Sequence, residues 1–155
     1  MDLLQSFPPL NLPPAELKIR RKSGRPEVFD PVRRIFTLLS PEEWVRQHFI
    51  AYLMTECQVP PLMMSVEKGL SVQGSDRRFD LVVFNAQTRP AMLVECKAAH
   101  VPLSQSVLDQ AGVYNTVLKV PFLCVTNGIE HICCKLQGDR WDFLDHIPHF
   151  SEMHF

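Results

Sequence analysis

Two short runs, Arg78–Phe84 (R-F-D-L-V-V-F) and Ala91–Ala98 (A-M-L-V-E-C-K-A), decide how this chain is read. Each is apolar and of strand length. Asp80 interrupts the first, and Glu95 and Lys97 interrupt the second. A sheet core does not accept such charges unless they are paired or hold an ion. Between the runs, Asn85 to Pro90 supplies the breakers Asn, Thr and Pro. A hairpin symmetric about that turn sets Asp80 directly opposite Glu95, with Cβ atoms roughly 5 Å apart on one face. Alternation along the strand adds Lys97 to the same face. The set depends on register, because a slip of one residue sends every side chain to the other face.

Two carboxylates held this close stay ionised around a cation, or share a proton without one. The chemistry that needs two carboxylates and an ammonium together is metal-assisted hydrolysis of a phosphodiester. Carboxylate oxygens bind a hard cation such as Mg²⁺ (or Mn²⁺), which keeps several waters. The ion lowers the pKa of a bound water and screens the phosphate. Lys97 then orients that water or stabilises charge developing on the phosphate oxygens. Asp80 and Glu95 are therefore the expected metal ligands, and Asp80, Glu95 and Lys97 the expected catalytic set.

Two upstream acids compete to join them. Glu67 lies in the strand-like M-M-S-V-E-K-G-L, and a turn at Gln73 to Asp76 puts it on the face of Asp80. Glu43 lies in the first helix, where Ser40, Pro41 and Glu43 also read as an S-x-x-E capping box. Glu67 is preferred as a metal ligand. Arg78 shares the parity of Asp80, and either neutralises a carboxylate or reaches a phosphate.

The 155 residues suit one domain with its own core, and 46% hydrophobic and 21% charged content is ordinary for a globular protein. Residues 1–15 are Pro-rich and read as a flexible arm. Residues 16–38 read as two strands around the S-G-R-P turn. A helix follows from Ser40 to about Glu56, then three strands near 63–72, 77–84 and 91–97. A second helix runs from Ser104 to about Leu118, and further strands flank the Asn127-Gly128 turn. This order predicts an α/β domain over 16–155, with a central mixed sheet flanked by helices.

Five cysteines without C-x-x-C spacing argue against a zinc site and read as free thiols of a reducing compartment. No stretch is long and apolar enough to span a membrane, and the N-terminus lacks the pattern of a secretory signal, so a cytoplasmic location is expected. Net charge is −1, yet Lys18, Arg20, Arg21, Lys22 and Arg25 cluster, followed by Arg33 and Arg34. That cluster reads either as a solvated hairpin edge or as a phosphate contact. No G-x-x-x-x-G-K-[ST] loop is present, so no ATP-driven motor is expected within this sequence.

The pattern D-x(14)-E-x-K over Asp80, Glu95 and Lys97 resembles the PD-(D/E)xK nuclease superfamily, although Phe79 stands where the motif's Pro would be. Gln110 and Tyr114 form a Q-x-x-x-Y pattern similar to exonuclease-like branches. The segments P-E-E-W-V-R-Q, V-E-K-G-L, L-V-E-C-K-A and V-T-N-G resemble the N-terminal nuclease domain of type I restriction enzyme R subunits. The resemblance covers about Glu16 to Phe150. It implies a restriction-endonuclease-like fold and a Mg²⁺-dependent DNA endonuclease leaving 5′-phosphates, within restriction–modification or a related defence or repair system. It also implies that Gln110 supports the site and that Tyr114, with Arg78, contacts nucleic acid. A separate motor or specificity subunit and a homodimer are the partners expected besides DNA. Two other readings stay open: a non-catalytic nucleic-acid-binding or assembly module that kept the fold, and a nuclease acting on RNA or single strands.

Overall fold

The computed structural model describes residues 3–72 and 75–155; the side chains of residues 3, 4, 68, 70–72, 75–77, 110, 113, 114, 116 and 117 lie outside the description. The chain begins with a small antiparallel sheet of β1 (Ile19–Lys22), β2 (Arg25–Asp30) and β3 (Ile35–Leu38). Ser23 and Gly24 turn the first hairpin with φ of 50° and 77°, the left-handed pair that a two-residue reversal requires. Two strands were expected over 16–38, and there are three. The extra reversal is built by Asp30, whose Oδ1 accepts from the backbone N–H groups of Val32 and Arg33 at 2.8 and 2.9 Å.

Helix α1 (Pro41–Thr55) follows, with Ser40 Oγ accepting the Glu43 N–H at 3.0 Å. The second sheet contains β4 (Met64–Val72), β5 (Ser75–Phe84), β6 (Pro90–Cys96), β7 (Phe122–Thr126), β8 (His131–Gln137) and β9 (Arg140–Leu144), in that spatial order. All neighbours are antiparallel except β6 and β7. A parallel pair needs a crossover, and α2 (Gln105–Leu118) provides it.

Each helix buries one apolar face against the sheet. Val45, Phe49, Ile50 and Leu53 of α1 pack with Leu81, Val83, Met92, Val94 and Phe122. On the opposite face Ala111 of α2 packs with Val82, Leu93, Leu123 and Val125. The predicted α/β domain with a mixed sheet between helices is the one observed.

Part of the N-terminal arm is tied to this body. Phe7 stacks on Trp44 at 5.0 Å, Trp44 Nε1 donates to the Pro8 carbonyl, and Asn11 N–H donates to the Gly128 carbonyl. The cysteines also depart from expectation: Cys124 and Cys133 face each other across β7 and β8 and are paired as a disulfide, while Cys57, Cys96 and Cys134 are free and buried. Among the described residues, no helix is long and apolar enough to cross a membrane.

Candidate active site

The β5–β6 ladder pairs Val83 with Met92, Val82 with Leu93 and Leu81 with Val94. The paired ladder ends there, and the same register carried one step further would set Asp80 opposite Glu95. The regular alternation then slips. Leu81 packs on the α1 side and Phe79 on the α2 side, although they are two residues apart. The side chain of Asp80 turns into the space where the ladder stops. Its Oδ2 accepts the Cys96 N–H at 2.7 Å, a backbone donor that a continued ladder would have used. Its Oδ1 lies 3.2 Å from Arg46 Nη2 of α1.

Arg46 is the hub of an ion network. It reaches Glu42 and Glu43 on its own helix at 3.3 and 3.2 Å, Glu67 of β4 at 3.5 Å, and Asp80. Helical spacing of three and four residues puts the first two on its face. Burial opposes the charge on Arg46, but Glu43 and Asp80 outweigh it and hold its pKa above the ordinary value. Arg33, from the reversal between β2 and β3, adds a second cation, 2.8 Å from Asp30, 3.2 Å from Glu43 and 3.6 Å from Glu67.

Glu67 falls between the pairs Val66–Leu81 and Lys68–Phe79, opposite Asp80, and takes φ of 55°. A left-handed glutamate inside a strand costs about 1–3 kcal/mol and is sustained only by its surroundings. Here the two arginines hold its carboxylate. Glu43 does not complete the capping box expected of it. Ser40 caps its N–H, but the Glu43 carboxylate is buried, accepting from Arg33 and from Gln47 at 2.9 Å. A tertiary ion pair has displaced the local bond.

Lys97 follows the end of β6, its N–H donating to the Thr126 carbonyl at 2.8 Å. Electrostatics tie it to the other groups. The Glu42 carboxyl is held above the usual range first by burial and then by Asp80, with Arg46 and Lys97 pulling the other way. The buried Cys96 thiol is pushed well up by burial, and Asp80, Arg46, Glu95 and Glu42 all act on it. Asp80, Glu95, Lys97, Glu42 and Arg46 therefore share one neighbourhood. Glu42 and Arg46 are absent from the set read from sequence. Their signal lies in P-E-E-W-V-R-Q, where an acid and an arginine four residues apart precede a buried helix face.

Arg78 is exposed, and Asp80 takes its cation from Arg46 instead. Gln110 and Tyr114 belong to α2 by backbone, but their side chains lie outside the described residues.

Among the described residues, no three His, Cys, Asp or Glu side chains are gathered as a closed metal cage would need. Mg²⁺ asks for less: one or two carboxylates, with water and substrate phosphate completing its shell. Asp80 and Glu95 are donors of that kind. The charge balance also suits a cation. Among the described residues of this neighbourhood, Arg33 is shared by Asp30, Glu43 and Glu67, and Arg46 by Glu42, Glu43, Glu67 and Asp80, so each cation serves several carboxylates.

Residues 41–148 match the family model for the type I restriction enzyme R protein N terminus. No curated protein matches the chain. A solved fragment described as an HsdR subunit of a type I restriction enzyme from Vibrio vulnificus YJ016 shares the fold, with TM-score 0.56 and 20% identity over 74% of this chain. The chain spans about a quarter of that fragment's length, 24%. With the match running over both helices and the whole six-stranded sheet, the chain belongs to the family of type I restriction enzyme R protein N-termini.

Proposed function

We propose that this chain is a Mg²⁺-dependent endonuclease module that hydrolyses phosphodiester bonds in DNA. In this reading it works beside motor and specificity functions carried by other parts of a restriction–modification or related system. The observation that carries the reading is the position of Asp80. It sits at the open end of the β5–β6 ladder, on the Cys96 amide and where the ladder's register would set it opposite Glu95, with Lys97 one strand alternation further along.

Asp80 and Glu95 would hold the ion, with Glu67 supporting. Bound there, the ion would lower the pKa of a coordinated water and screen the phosphate. The chain's own groups do the rest. The Cys96 amide and Arg46 fix the orientation of Asp80, so that little rearrangement is needed when substrate arrives. Lys97 brings positive charge to where it builds on the phosphoryl oxygens. Gln110 would support the site, and Arg78 and Tyr114 would contact the nucleic acid. A double-strand break needs two such sites, which motivates a homodimer or a larger assembly.

One observation favours a second reading, a non-catalytic nucleic-acid-binding or assembly module: Arg46 already neutralises Asp80. Incubation of supercoiled plasmid with Mg²⁺ or Mn²⁺ separates the two. Nicking by wild type that vanishes in folded Lys97→Ala supports the nuclease. If wild type is inert, calorimetric titration with Mn²⁺ decides. Binding lost in Asp80→Ala points to a missing motor or specificity partner, and no binding at all sinks the metal-nuclease reading.

A further inference from the structure

Residues 18–34, which precede the family-matched region, carry seven Lys and Arg against two Asp and Glu, while the rest of the chain carries nine against fifteen. A protein of net charge −1 thus confines a strong positive surplus to the small sheet. The two faces of that sheet differ. One holds Val28 and Asp30, both buried, with Asp30 Oδ2 accepting from Gln47 of α1 at 3.0 Å. The other carries Lys18, Arg20, Lys22 and Arg25 beside Phe29 and Phe36, by the register Arg20–Glu27, Lys22–Arg25 and Phe29–Phe36.

The aromatic pair organises these cations. Phe29 and Phe36 meet edge to face at 5.3 Å. The Arg20 guanidinium lies 3.8 Å above the Phe36 ring and is held by Glu27 at 2.7 Å, and Lys18 Nζ sits 5.6 Å from Phe29. Among the described residues no carboxylate pairs with Lys18, Arg21, Lys22, Arg25 or Arg34, all of them exposed. On this face Glu27 is spent on Arg20, and the remaining cations outnumber it, two of the face's basic side chains being set against the aromatic rings.

We propose that this face of the β1–β3 sheet docks the phosphate backbone of duplex DNA beside the carboxylate site. The choice of backbone over bases follows from Phe36, whose ring face is already covered by Arg20 and is not offered for stacking. The route to the site is short: Arg33, at the root of this sheet, bridges Asp30 to Glu43 and Glu67. The proposal rests on the nuclease reading for its choice of duplex DNA as partner, but its test does not need cleavage.

The test is fluorescence anisotropy of the full chain on a short fluorescein-labelled duplex in EDTA. The variant Lys18→Ala/Lys22→Ala/Arg25→Ala removes three exposed cations, and Arg89→Ala/Lys135→Ala/Arg140→Ala makes the same change in net charge away from the sheet. The expected result is a loss of about tenfold or more in the first and little in the second. The slope of log affinity against log salt should fall by about 0.9 for each contact removed. Lys18→Arg/Lys22→Arg/Arg25→Lys should retain binding. Equal loss in both triple variants, an unchanged salt slope, no duplex binding by wild type, or equally tight binding to phosphatidylserine vesicles would each overturn the proposal. Lys97→Ala should dock as wild type does. Docking by a wild type that neither cleaves nor binds Mn²⁺ leaves this surface standing and the nuclease fallen. Cleavage with an unaltered KM in the first triple variant does the reverse.

Discussion

Arg46 Nη2 lies 3.2 Å from Asp80 Oδ1, with the side chains only 5% and 16% exposed. A charge pair so far from water contributes little compared with an apolar core of equal volume, but breaking it from one side is costly. Arg46 also serves Glu42, Glu43 and Glu67, so no single carboxylate owns it.

Arg46→Met is therefore expected to destabilise the fold by about 3–5 kcal/mol, read as a lower urea midpoint with unchanged slope. It leaves the carboxylates facing one another, so Mn²⁺ should raise the midpoint of this variant by more than that of wild type. A variant as stable as wild type would remove Arg46 from its central place.

Asp80→Asn and Asp80→Ala should part company. Asparagine keeps an oxygen for the Cys96 N–H, whereas alanine leaves that buried donor unpaired at about 1–3 kcal/mol. Both should lose Mn²⁺ binding by calorimetry, and only the alanine variant should lose that much stability in urea. Retained Mn²⁺ affinity in either would move the metal away from Asp80.

Glu42 predicts a pH effect. Its folded pKa is raised, so the folded state holds its proton more tightly, and folding is favoured below that pKa and loses this contribution as pH rises through it. Glu42→Gln should be slightly more stable than wild type at neutral pH, by under about 1 kcal/mol because the side chain is half in water. That advantage should shrink as pH falls through the raised value and be gone below the carboxyl's ordinary value of 4.5, measured by thermal melts across the acid range.

His146 predicts a second, at the far end of the chain. Its ring bonds Asp145 at 2.8 Å and Glu152 at 2.9 Å, and these carboxylates, Asp145 first, raise its pKa above 6.5. The stabilisation is full below 6.5 and disappears as pH rises through the raised value. With the side chain 47% exposed, the effect should be about 0.5 kcal/mol or less. Thermal melts of His146→Gln should match wild type at pH well above neutral and fall below it in mild acid.

Much of this architecture is legible from local pattern. Short continuous apolar runs and the breakers between Asn85 and Pro90 define β5 and β6, and the pairing of Leu81 with Val94 follows from symmetry about the turn. The third strand of the small sheet is not legible, because Ile35–Leu38 is four residues long and shows no period. Nor is the role of Glu43 or Arg46. S-x-x-E is a sound local signal, but Arg33, ten residues away in sequence, outbids the backbone for the Glu43 carboxylate at 3.2 Å. Which residues of α1 meet Asp80 depends on how the helix docks across the sheet, and no spacing along one element encodes that.

The site borders a seam. At β6 the sheet changes from antiparallel to parallel pairing, and Lys97 hands the chain straight to the connection that climbs to α2. The donors are anchored in strands, whereas residues 98–104 are held by few bonds, Asn127 Nδ2 to the Val101 carbonyl at 2.9 Å among them. Lengthening such a connection costs only about 0.6 kcal/mol per doubling. The stretch from Ala98 to Ser104 can therefore grow or shrink at small cost to the fold, with Asp80 and Glu95 left where they stand.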